Sequence, residues 1–69
     1  MVRYVVIEQR QNNRVQYGIA AYDSTTVVIS LNDIAETYEE TLRLSVMLQE
    51  NGVAAEHFSD IIEDYLARE

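Results

Sequence analysis

The sequence predicts an α+β fold in a single domain, residues 1–69. It should be a three-stranded antiparallel β-meander with two antiparallel helices packed on one face, in the order β-β-β-α-α. Three observations lead there. The first half holds runs of β-branched and aromatic residues separated by short polar turns. Residues 37–52 carry both a helix start and a helix stop. Near the end, Phe58, Ile61, Ile62, Tyr65 and Leu66 recur at i, i+3, i+4, i+7 and i+8, the spacing of one helix face, and the residues between them are mostly polar or acidic. A helix so divided needs a surface to lie on, and the elements before it supply one.

The first strand is expected from Val2 to Arg10, on the strength of Tyr4, Val5, Val6 and Ile7. Asn12-Asn13 follows. Asparagine tolerates positive φ, so this pair suits the centre of a two-residue hairpin turn. Val15 to Tyr22 then returns as the second strand, Asp23-Ser24-Thr25 turns again, and Thr26 to Leu31 forms the third. A two-residue turn at Asn12-Asn13 also fixes the register. Val6 faces Ile19 and Tyr4 faces Ala21, with Val15 and Tyr17 on the same side. The other side carries Val5, Ile7, Ala20 and Tyr22, with Gly18 opposite Ile7.

The first helix begins at Thr37-Tyr38-Glu39-Glu40, the pattern of a capping box. Its body carries Leu42, Leu44, Val46, Met47 and Leu48, and Asn51-Gly52 ends it because Gly52 can adopt the left-handed conformation. A link at Val53-Ala54-Ala55 is short enough to make the two helices antiparallel neighbours. The second helix has no Ser, Thr or Asp cap, but Glu56 puts negative charge near its amino end. The expected core is Val6, Tyr17, Ile19, Ile29, Leu42, Val46, Leu48, Phe58, Ile61, Ile62, Tyr65 and Leu66.

Tyr17-Gly18-Ile19-Ala20 and the closing Glu56-His57-Phe58-x-Asp60-Ile61-Ile62-Glu63-Asp64-Tyr65-Leu66 resemble motifs of a family of short uncharacterised proteins, found mainly in Gram-positive anaerobes. That family shares the Tyr-Gly-Ile strand, an Asp-Ile-Ser-like step before the first helix, and a closing acidic amphipathic helix. The step reads Asp33-Ile34-Ala35 here, and Ala54-Ala55 stand where Ser-Pro often opens the last helix. The resemblance implies a bacterial or phage origin and assigns no chemistry.

Composition narrows the function. The chain has 69 residues, no Cys and a net charge of −7. Disulfides and thiolate metal sites are therefore excluded. The N-terminal apolar run Val5-Val6-Ile7 stops at Glu8, too short for a signal-peptide core, and no stretch is long enough to span a bilayer. A soluble, cytoplasmic protein is expected. Residues 1–32 carry three arginines against Glu8 and Asp23, a balance of +1; residues 33–69 carry ten acids against Arg43 and Arg68, a balance of −8. An anionic helical half disfavours binding to nucleic-acid backbone or anionic lipid and suits a basic protein partner.

Chemistry-bearing patterns are sparse. His57, Asp60 and Asp64 share a helix face at i, i+3 and i+7, but one helix seldom supplies every ligand to a metal, and a half-buried His57 packed at the first helical turn is the expected arrangement. With only two glycines, no phosphate-cradling loop is available. No nucleophile–base ordering stands out. The sequence predicts no enzyme and no cofactor.

Two function classes follow. The first is a small acidic, non-enzymatic protein-binding or regulatory module, homodimeric, associating through the outer sheet face of Val5, Ile7, Ala20 and Tyr22 or through an open edge strand. Its acidic partner surface would be Glu39, Glu40, Glu56, Asp60, Glu63 and Asp64, facing a basic host or partner protein. The alternative is a phage-type anti-defence protein. It would sequester a nucleotide signal at a dimer seam, with Arg3, Arg10, Arg14 and Tyr4 contacting the small anionic ligand, or inhibit a host defence protein through the acidic surface.

Overall fold

The computed structural model describes residues 2–68. Its order is β1 (Val2–Gln11), β2 (Arg14–Asp23), β3 (Thr26–Ala35), α1 (Tyr38–Glu50) and α2 (Ala55–Ala67). The strands form one antiparallel sheet in the order β1-β2-β3, and the two helices lie on one face of it. The α+β meander expected from the sequence is the fold observed.

Asn12 and Asn13 both have positive φ, 51° and 63°, as a tight hairpin turn of this hand requires. The register is the one that turn dictates: Val6 pairs with Ile19, Tyr4 with Ala21, and Ile7 with Gly18. β3 runs four residues beyond the expected end at Leu31, because it is bulged twice. One irregularity falls between Ala21 and Tyr22, the other between Tyr17 and Ile19. The second is built around Asp33, at φ 58°, a residue type that tolerates the left-handed region. It breaks the alternation of the strand and delivers Ile34 into the core.

The core comprises Tyr4, Ile19, Ala21, Ile34, Leu44, Leu48, Phe58 and Ile62. α1 reaches it with Thr41, Leu44, Ser45 and Leu48, a lane at i, i+3, i+4 and i+7. Thr41 and Ser45 are buried because each hydroxyl satisfies itself on the helix's own backbone. Thr41 Oγ1 donates to Thr37 O at 2.9 Å and Ser45 Oγ to Leu42 O at 2.8 Å. Their small size lets α1 sit close to the sheet. The expected core changes accordingly. Leu42 and Val46 are 40% and 44% exposed on the flank of α1, and Leu66 is exposed near the end of α2. Tyr17 is half-buried and packs edge-on against Tyr38, with centroids 5.9 Å apart.

Both helix ends of α1 follow the sequence signals. Thr37 accepts from the Glu40 amide at 3.3 Å. At the other end Val53 N donates to Leu48 O and Gly52 N to Gln49 O, the paired bonds of a Schellman stop, with Gly52 at φ 59°. α2 begins at Ala54 without a side-chain cap. Tyr65 Oη donates to Glu40 Oε1 at 2.6 Å, joining the end of α2 to the start of α1.

Tyr4 pins the sheet to the link between the helices. Its hydroxyl donates to Val53 O at 2.6 Å, and its ring meets Phe58 edge-on at 5.1 Å. Burial raises the pKa of its hydroxyl above the ordinary 10.0. The raised value sets the sign: this contribution to stability is complete below pH 10 and is lost as pH climbs through the folded-state value. In an alkaline titration followed by tyrosinate absorbance and circular dichroism, the helical signal is expected to be lost as Tyr4 ionises. Helical signal that persists after every tyrosine has ionised would contradict this.

Candidate functional site

The site residues foreseen from the sequence fall into three groups, and the fold treats each differently. On the outer sheet face, Val5 sits opposite Ala20, Arg3 opposite Tyr22 and Ile7 opposite Gly18. The helices cover the opposite side, so this face has no layer over it among the described residues. Val5 is exposed, and Ile7 and Tyr22 are half-buried. Ala20 is a correction: it is buried and forms the floor of the patch, not an accessible contact. Two residues were missed. Val27 pairs with Tyr22, and both Val27 and Val28 are exposed. Their signal was the unbroken run Val27-Val28-Ile29, too apolar for a strand with one solvated side.

The anionic-ligand set is not brought together within one chain. Arg3 and Arg10 are seven positions apart on β1, so they lie on opposite faces of the sheet and are separated by roughly 23 Å along the strand. Arg14 lies by the hairpin turn, 3.8 Å from the Glu36 carboxylate, with both side chains largely exposed. Tyr4 is a second correction. It is buried, and its hydroxyl is committed to Val53 O, so it offers a ligand neither a stacking face nor a donor.

The acidic set stays on the helices as expected. Glu56, Asp60, Glu63 and Asp64, at i, i+4, i+7 and i+8, form one exposed lane on α2. Asp64 is paired with Arg68 at 2.9 Å in solvent, a contact that contributes little to stability. Glu39 and Glu40 line a hollow at the amino end of α1 with Thr37, Tyr38, Arg43 and Tyr65. His57 is a third correction. It is exposed and reaches only toward Glu56, 3.9 Å away. It does not pack as a half-buried ring, because Phe58 takes the inward position. Among the described residues no group of three His, Asp or Glu side chains is placed to hold a metal ion, and no helix is long and apolar enough to cross a membrane.

Among the described residues β1 is an edge strand, paired with β2 alone. One end of that edge is occupied by a side chain. Tyr4 N donates to Gln49 Oε1 and Gln49 Nε2 donates to Val2 O, both at 3.0 Å, so the amide of Gln49 stands where a neighbouring strand's backbone would be.

The model of a family of unknown function, DUF6514, matches residues 1–68. No curated protein and no solved structure matches the chain.

Proposed function

For this chain, which belongs to the DUF6514 family of unknown function, we propose a non-enzymatic role as a small acidic protein-binding module that works as a homodimer. One observation carries the reading. Val5 and Val27 are 40% and 49% exposed on a sheet whose other side is already covered, and Val28, next to Val27, is 52% exposed. An apolar patch on so small a domain is normally an interaction surface. Charge favours a second copy as the occupant. The helical half holds the excess acid while residues 1–32 are close to neutral. Two copies meeting sheet to sheet keep their acidic helices on the outside, far apart, where solvent and salt screen them. The exposed lane of Glu56, Asp60, Glu63 and Asp64 then faces outward for a basic protein partner.

The motifs around Tyr17-Gly18-Ile19 and in the closing helix support a bacterial or phage source, and a cytoplasmic location accords with a chain free of cysteine. Sequestration of a nucleotide signal finds less support, since Tyr4 is buried and Arg3 stands apart from Arg10 and Arg14.

Light scattering tests the dimer. The wild-type chain is expected at twice its monomer mass at micromolar concentration, and Val27→Lys is expected to return it to one copy with its circular dichroism unchanged. A wild-type chain that remains a strict monomer overturns the proposal.

A further inference from the structure

The molecule has a second uncovered apolar surface, and it lies beside an open strand edge. Backbone groups in β1 alternate between β2 and solvent. Gln49 identifies the solvent-facing set, because it bonds Val2 O and Tyr4 N. The β1–β2 register is unbroken, so Val6, Glu8 and Arg10 also turn their N–H and C=O groups outward. Among the described residues nothing pairs with those groups. Natural edges of this length are usually blunted; here Gln49 closes only the first third.

α1 overhangs that edge. Tyr38, Leu42, Val46 and Gln49 follow one another at i, i+4, i+8 and i+11, so they share one lane of the helix. Since Gln49 reaches the free edge of β1, the whole lane is on that side. At the other end Tyr38 packs on Tyr17, which pairs with Glu8. α1 therefore runs antiparallel to β1, over the stretch from Glu8 to Tyr4. Tyr38, Leu42 and Val46 are all exposed, and no residue of the lane is charged, in a chain where a quarter of residues are. Strand edge below and apolar shelf above form a groove.

We propose that this groove binds an extended segment of a partner protein by strand addition. Main-chain bonds to Val6, Glu8 and Arg10 would hold the segment, and its inward residues would read the groove. The side chains define its chemistry: an apolar residue opposite Val6 beneath Leu42 and Val46, Lys or Arg opposite Glu8, and an acid opposite Arg10. A second copy of this chain fits badly. The stretch left free by Gln49 is centred on Glu8, so a two-fold pairing of β1 with itself sets Glu8 directly against Glu8, a repulsive pair. This groove is separate from the outer sheet face and stands whether or not that face dimerises.

The test uses the full chain and a fluorescein-labelled peptide, Thr-Glu-Thr-Lys-Thr-Val-Thr, followed by anisotropy and by amide-resolved NMR. Binding should shift the Val6, Glu8 and Arg10 amides and protect them from exchange. Glu8→Lys should weaken binding about fivefold, and a peptide with Glu in place of its Lys should recover that loss on the variant. Leu42→Asp, on an exposed flank outside the core, should also weaken binding while circular dichroism stays unchanged. The proposal is overturned by no binding by a folded chain, by amide shifts confined to the outer sheet face, or by a Glu8→Lys loss that the swapped peptide does not recover. Exchange protection of Val6, Glu8 and Arg10 in the free protein would assign the edge to a second copy and also overturn it.

Discussion

Gly18→Ala is expected to remove a large share of the domain's stability. A methyl group at position 18 would run into the Leu31 carbonyl oxygen and stand 2.9 Å from Asn32 Cα. Both obstacles are backbone, on the strand next door, just before the Asp33 bulge. They can yield only if β3 moves away from β2. Forcing atoms into such a site costs about 1–3 kcal/mol and sometimes more, while a domain this small has about 3–5 kcal/mol in total. The measurement is a urea or thermal unfolding curve for wild type and variant. A variant melting within a degree or two of wild type would mean that β3 does not cross β2 as closely as described. No left-handed φ is involved at Gly18. The requirement is space, which is why alanine, tolerated at most glycine positions in strands, should fail here.

Phe58→Ala should cost about 3–5 kcal/mol, comparable to the whole stability of the domain. Phe58 is fully buried beneath α2 and meets Tyr4 edge-on. Removing the ring leaves a cavity among Tyr4, Leu48 and Ile62 that backbone elements held at both ends cannot readily collapse. Phe58→Leu keeps most of the volume and should cost less than about 2 kcal/mol. Equilibrium denaturation separates the two, since the midpoint should fall steeply for alanine and modestly for leucine. Equal losses for both would mean that the aromatic contact with Tyr4, not the filled volume, is what the site requires.

The parts of this fold that were legible in the sequence are those with local causes. Asn12-Asn13 set the hairpin, and the hairpin set the register of β1 on β2. Thr37 and Gly52 marked the ends of α1, and the spacing from Phe58 to Tyr65 gave the inward side of α2. What escaped has non-local causes. The apolar residues of α1 suggest Leu42, Val46 and Leu48 as its inward side, and only Leu48 is buried; Thr41 and Ser45 are polar by type, but their hydroxyls are satisfied on the helix itself. Ile34 escaped because alternation along β3 is reset by the bulge at Asp33. Tyr4 was assigned to a ligand because a tyrosine near arginines has two plausible uses, and only the position of Val53 decides between them. The outer patch is half legible: Val5, Ile7 and Tyr22 follow from the first hairpin, whereas Val27 needs the second hairpin to place it opposite Tyr22. The groove at the β1 edge was foreseen only as an open edge, since its upper wall depends on which way α1 is rotated.

The excess of acid sits on the helices, while on the strands Glu8, Asp23 and Asp33 are balanced by Arg3, Arg10 and Arg14, so the molecule is an electric dipole with its axis through the two layers. A cationic support, or any positively charged surface, should capture it helices first and leave the valines of the sheet pointing outward. That orienting torque fades once the gap exceeds the screening distance of about 10 Å in ordinary salt.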